Sequence, residues 1–305
     1  MKRSVLPPGT TRPEMEPVDP RRPYMVGTLR YSLFEVYVVS AWVILGGSIF
    51  GMLGSLVPTL LPLTLERFGA SSALIGLVVG SIPAAMNFVM NPILSTASDR
   101  TRTRWGRRIP YLVFATPFVT LFLILIGWIT PITGYIHAHF FPELEIGVLG
   151  IALVCVFSVA FQFFNLIVGS IYYYIFADVI PHRFIGRFMA GLNLAGTASG
   201  FLFTFFVMPY IVDFAPAVFT GIGLLYLVCF SLMCFFVREG EYPPPGRLQK
   251  EKLPVLKRLA EWIEIYFRQC YRHGFFTFLF LGTALNNVST VCRTTFNLLF
   301  ATQEL

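Results

Sequence analysis

Long apolar runs broken by short, strongly basic intervals dominate this chain. Seven runs are long enough to cross about 30 Å of hydrocarbon at about 1.5 Å per residue. They fall near 35–65, 71–97, 110–132, 146–177, 188–213, 215–237 and 275–300. Each predicts a membrane-spanning helix, and the first and fourth have residues to spare for tilt or protrusion. Between the second and third lies Ser98-Asp99-Arg100-Thr101-Arg102-Thr103-Arg104-Trp105-Gly106-Arg107-Arg108, with five arginines in eleven residues. Such a stretch cannot enter lipid and must turn in water. Basic residues cluster in the same way elsewhere, and 21 of the 23 Lys and Arg fall on one side of the predicted crossings. That side is expected to be the cytoplasm. An inside N-terminus and seven crossings would then put the C-terminus outside.

The first thirty residues are polar and proline-rich, so residues 1–34 read as a cytosolic disordered tail with no cleavable leader. Residues 35–237 form the first six spans. Residues 238–273 read as a central cytoplasmic loop that opens on Tyr242-Pro243-Pro244-Pro245-Gly246, a stiff spacer. Further on, Val255, Leu256, Leu259, Trp262, Ile263, Tyr266 and Phe267 recur at helical spacing. They predict an amphipathic helix, lying along the membrane surface or against a partner helix. Residues 274–305 hold the seventh span.

Composition agrees with the pattern. With 55% hydrophobic and 13% charged residues, the chain has the make-up of a membrane protein embedded in a lipid bilayer. The net charge of +7 sits in loops on one side and so does not point to nucleic acid. Five cysteines show no Cys-x-x-Cys spacing, and all but Cys270 lie in apolar runs, as buried reduced thiols do. His137 and His139 lie near Glu143 without a clear third ligand, so neither a metal nor any other cofactor is expected. No cluster of nucleophile, base and metal ligand stands at membrane depth, which argues against an enzyme.

Polar residues inside the spans fall on faces. At about 100° per residue, Ser158, Gln162, Asn165, Gly169 and Tyr172 share a stripe on the fourth span. Asn193, Thr197, Gly200 and Thr204 do so on the fifth, and Gly80, Asn87, Asn91 and Ser98 on the second. Amides in hydrocarbon must face water or pair with another helix. Asn286 and Asn287 lie near the middle of the seventh span. Amides, hydroxyls and a tyrosine ring suit a neutral polyol, so Gln162, Asn165, Tyr172, Asn193, Thr197, Asn286 and Asn287 are candidate sugar contacts. Gly47 with Gly51, and Gly196 with Gly200, have the spacing that lets helices approach closely.

The pattern Asp99-Arg100, five residues, then Gly106-Arg107-Arg108 resembles the loop between the second and third helices of major facilitator transporters. With Asn91-Pro92-Ile93-Leu94 before it, it resembles the glycoside, pentoside and hexuronide symporters and related sucrose carriers. A second match follows the fourth span, in Ala177-Asp178-Val179-Ile180-Pro181 and Gly186-Arg187-Phe188. The resemblance implies an all-α polytopic membrane protein of the major facilitator fold, with a six-helix N-terminal bundle plus a seventh helix. It also implies alternating-access movement of a sugar or glycoside, with coupling to Na⁺ or H⁺ open. Asp99, Arg100, Gly106, Arg107, Arg108, Asp178, Gly186 and Arg187 would form a cytoplasmic gate. Cation-coupled members carry carboxylates where this chain has Asn87 and Asn91, so the usual cation ligands are replaced by neutral amides. Complete carriers have twelve helices. The chain thus reads as one half plus one helix, which needs a second chain or further residues, or which serves as a non-transporting scaffold.

Overall fold

A computed structural model describes residues 21–211 and 214–240, together with 274–289 apart from 276 and 287. A short hairpin comes first, β1 (Tyr24–Val26) paired antiparallel with β2 (Leu29–Tyr31). Seven helices follow: α1 (Leu33–Arg67), α2 (Ser72–Arg100), α3 (Ile109–Gly127), α4 (Ile129–His139), α5 (Ile146–Val179), α6 (His182–Tyr210) and α7 (Ala215–Phe236). Among the described residues six are long and apolar enough to span a membrane, α4 being short. A further apolar helix, α8, covers Thr277–Asn286. The rest of the predicted seventh span, and the amphipathic helix expected over 255–270, lie outside the described residues.

Two expectations change. The predicted tail does not run unstructured to residue 34, because residues 24–31 form the hairpin, with Gly27 at φ 55° in its two-residue turn. Tyr24 sets its ring edge-on to Phe184 at 4.9 Å, and Arg22 pairs with Glu35 at 2.8 Å. Polarity and prolines hid a strand pair too short to show an alternating pattern. The third predicted span, 110–132, divides at Trp128, so that α3 ends at Gly127 and α4 begins at Ile129.

Local chemistry explains several boundaries. At the start of α1 the Ser32 hydroxyl accepts from the Glu35 backbone N–H at 3.2 Å, while the Glu35 carboxylate accepts from the Ser32 N–H at 2.7 Å. This reciprocal cap satisfies two amides that the helix leaves open. In α2 and α6 the hydrogen bonding loosens to a π turn, over Leu77–Ser81 and Phe203–Val207. Pro83 and Pro209 follow each turn within two residues, and a proline cannot donate to the preceding turn. The Ile82 and Met208 N–H groups reach back five residues instead, to the Leu77 and Phe203 carbonyls.

Packing orders the helices. α3 lies between α5 and α7; α1 packs on α6, α7 and α5; α2 packs mainly on α5. α1 and α6 approach each other at small residues: a Cβ on Gly51 would come into ordinary contact with the Gly196 Cα at 3.9 Å. On Gly47 a Cβ would strike the Tyr172 hydroxyl and Leu192. α2 and α6 stand at the two ends of this arrangement and share no substantial contact among the described residues. They are also the least enclosed spans, with 11% and 6% of their most apolar stretch buried against 44% in α1, α3 and α7.

Candidate functional site

The arginine-bearing ends of the helices converge on one ion cluster. Asp178, at the end of α5, is its centre. The Asp178 Oδ2 accepts from Arg107 Nε at 3.2 Å and Arg107 Nη2 at 2.6 Å, and it pairs with Arg108 Nη1 at 2.9 Å. Asp99, at the end of α2, pairs with Arg107 Nη1 at 3.2 Å and Arg108 Nη2 at 3.4 Å. Arg108 also donates to the Tyr174 carbonyl and lies over the Tyr174 ring, 5.2 Å from its centroid. The side chains of Arg107, Asp178 and Arg108 are 14%, 14% and 10% exposed, while that of Asp99 is 52% exposed. Two guanidinium groups and two carboxylates balance in charge, and the more enclosed carboxylate holds the stronger bonds.

One participant was not foreseen from the sequence. Helix α3 opens at Arg108, which supplies no capping side chain, so its first N–H groups lack a local acceptor. Glu239, just beyond α7, provides it. Its carboxylate accepts from the backbone N–H groups of Arg107 at 2.9 Å, Arg108 at 2.9 Å and Ile109 at 2.7 Å. An anion at a helix N-terminus is favoured by these bonds and by the helix dipole. Gly106 makes room for it. Its φ is 111°, and a Cβ there would lie 2.8 Å from the Glu239 Cδ. The signal available in the sequence was negative: Arg108-Ile109-Pro110 has a helix-starting proline but no Ser, Thr, Asp or Asn before it.

Of the residues expected at this end, Asp99, Arg107, Arg108 and Asp178 are brought together, with Gly106 beside them. Arg100, Gly186 and Arg187 stand apart and exposed.

Deeper in the bundle the polar positions divide. Asn91 donates its amide to the Asn87 Oδ1 and accepts from the Ser170 hydroxyl, a neutral chain that ties α2 to α5. Asn193 and Thr197 on α6 are exposed, as is Asn87 on α2. Counting from the arginine-bearing ends, Asn91 and Asn193 lie about 12–14 Å in, and Asn87 and Thr197 about 18–20 Å in. On α5 Gln162 is half-buried, and Asn165 Oδ1 and Ser158 Oγ are buried without a partner among the described residues. Tyr172 departs from its stripe. It is 1% exposed and donates its hydroxyl to the Val43 carbonyl at 2.9 Å, so its place is in the packing of α1 against α5. Its side chain is therefore separate from the open polar faces. Asn286 is exposed on α8, and Asn287 lies outside the described residues.

His137 and His139 each bond a backbone carbonyl, of Leu144 and Tyr135.

Six helices long and apolar enough to span a membrane, packed as one all-α bundle with a charge cluster at one end, describe a multi-pass membrane protein of the major facilitator fold. The chain belongs to the MFS/sugar transport protein family, whose model matches residues 42–304. It is also similar to Solute carrier family 45 member 3 of Mus musculus, with 25% identity over 245 residues that make up 77% of this chain and 41% of the relative. The chain thus spans about two fifths of that relative's length. No solved structure matches it.

Proposed function

We propose that this bundle forms one wall of a sugar-translocating cleft, with its arginine-bearing end in the cytoplasm. The observation that carries the reading is the uncovered polar face on α6. Asn193 and Thr197 are exposed on a spanning helix that is only 6% buried in its apolar stretch. Amides and hydroxyls facing lipid would forfeit hydrogen bonds, whereas facing a cleft they meet water or the hydroxyls of a sugar. Asn87 stands at matching depth on α2, and Gln162 and Asn165 on α5 complete the acceptor set. Tyr172 takes no part in this conformation. Asn286 on α8, and Asn287 in the predicted seventh span, would act only with residues beyond this bundle.

Asp99, Arg107, Arg108 and Asp178 close the cytoplasmic end in this reading, and their ion pairs open and re-form during the cycle. Glu239 holds the loop carrying both arginines in place. Sugar moves without the carboxylates that serve cation-coupled relatives at the positions of Asn87 and Asn91. Their neutral chain with Ser170 supports that reading, because amides attract Na⁺ weakly and offer a proton no site.

Uptake of labelled sucrose and monosaccharides into proteoliposomes, with and without a Na⁺ or pH gradient, tests this. Saturable uptake that neither gradient increases is expected. Absence of sugar-dependent uptake or binding by the full polypeptide would contradict the sugar cleft, and a strong gradient requirement would contradict the coupling reading alone.

A further inference from the structure

We infer that a cavity between the start of α3 and the end of α7 binds the headgroup of an anionic phospholipid. Its volume is about 550 Å³, within the range that holds a small organic group. Two kinds of surface meet in it. Ile109, Val113 and Phe235, from the ends of spanning helices, form an apolar side, and Arg104, Trp105 and Arg238 form the rim.

The rim is built and not merely basic. Thr103 and Gly106 exchange backbone hydrogen bonds at 3.1 and 3.2 Å, which makes Arg104 and Trp105 the two-residue tip of a tight turn. Trp105 is 65% exposed beside the apolar ends of α3 and α7, an arrangement suited to the membrane–water boundary. Neither Arg104 nor Arg238 has a hydrogen bond or ion pair among the described residues, unlike Arg107 and Arg108. Glu239 also borders the cavity, but its carboxylate is engaged by three N–H groups of α3. Two free guanidinium groups therefore face a hollow that continues into an apolar wall.

Position selects the occupant. α3 and α7 lie in the middle of the helix order, away from the α2 and α6 faces assigned to the cleft. Phe235 is 78% exposed there, as a side chain in contact with acyl chains would be. A phosphodiester at the rim with its acyl chain along Val113 and Phe235 satisfies both surfaces, and a free phosphate satisfies only one. The inference rests on the membrane-spanning fold and is independent of sugar movement, so failure of uptake leaves it standing.

The test counts lipids retained by the full chain after transfer from mixed phosphatidylcholine and phosphatidylglycerol vesicles into detergent, by intact-protein mass spectrometry. Phosphatidylglycerol should be preferred by on the order of tenfold. R104Q/R238Q should abolish the preference, and R102Q/R183Q, which removes the same charge elsewhere on that end, should leave it. Benzoylphenylalanine in place of Trp105 should, on irradiation, gain the mass of phosphatidylglycerol. No preference, equal loss in both double variants, or crosslinking to this chain's own 241–273 segment or to another protein would overturn the inference.

Discussion

The two ends of the polar inventory are treated in opposite ways. At the arginine-bearing end both arginines and both aspartates of the central cluster have more than one partner, drawn from α2, α3 and α5. Glu239 after α7 caps α3, and Arg108 Nε alone is buried without a partner among the cluster's side-chain atoms. On α6, at mid-depth, Asn193 and Thr197 stand exposed, with no helix laid over them among the described residues. Both sets are costly in a membrane setting, but the cost is met by protein in one place and, in the proposed cleft, by solvent or ligand in the other. Satisfied networks hold a shape, and open polar faces await something that moves.

Substitutions should separate the two regions by what they change. The largest stability effect is expected at Asp178, since Asp178→Asn leaves two enclosed guanidinium groups short of their main counter-charge. A loss of about 3 kcal/mol is expected, read as a lowered thermal midpoint in detergent. Gly106→Ala should cost about 2 kcal/mol, from a left-handed φ and a collision with Glu239. That cost should shrink in a Glu239→Ala background, because the collision partner is gone, and an unchanged cost would assign the whole effect to backbone strain. Glu239→Ala alone should cost about 1–2 kcal/mol, by exposing the α3 N-terminus. The smallest stability effect belongs to Asn193→Ala with Thr197→Ala, below about 0.5 kcal/mol. Sugar uptake by this variant should nonetheless fall at least about tenfold, as removal of two transition-state or binding contacts does. A large stability loss there with uptake intact would mean that these groups are packing residues and the comparison fails.

Much of this was legible in the chain. Spans announce themselves by length and hydropathy, and the Asp99 to Arg108 loop by its charge density. Partners distant in sequence were less visible. Glu239 lies 130 residues from the Ile109 N–H it caps, and only the missing local cap hinted at it. Tyr172 shares a stripe with Asn165, but a helix packed against four neighbours, α1, α2, α3 and α4, has no single face. One flank of that stripe meets α1 and takes Tyr172 to the Val43 carbonyl. Ser170 lies off the stripe, about 100° round from Gly169, and bonds Asn91 on α2 instead. The hairpin at 24–31 was hidden by a polar, proline-rich setting, and the π turns by the absence of any sequence mark except a proline just after each.

Cysteine accessibility tests the open face most directly. In a background with every native cysteine replaced by serine, single cysteines at 193 and 197 are treated in vesicles with a membrane-impermeant thiol reagent, with a cysteine at Leu224 on α7 as the lipid-side reference. The account predicts that 193 and 197 label rapidly, that a transported sugar slows them, and that 224 stays unlabelled. Labelling at 193 and 197 no faster than at 224 would contradict it.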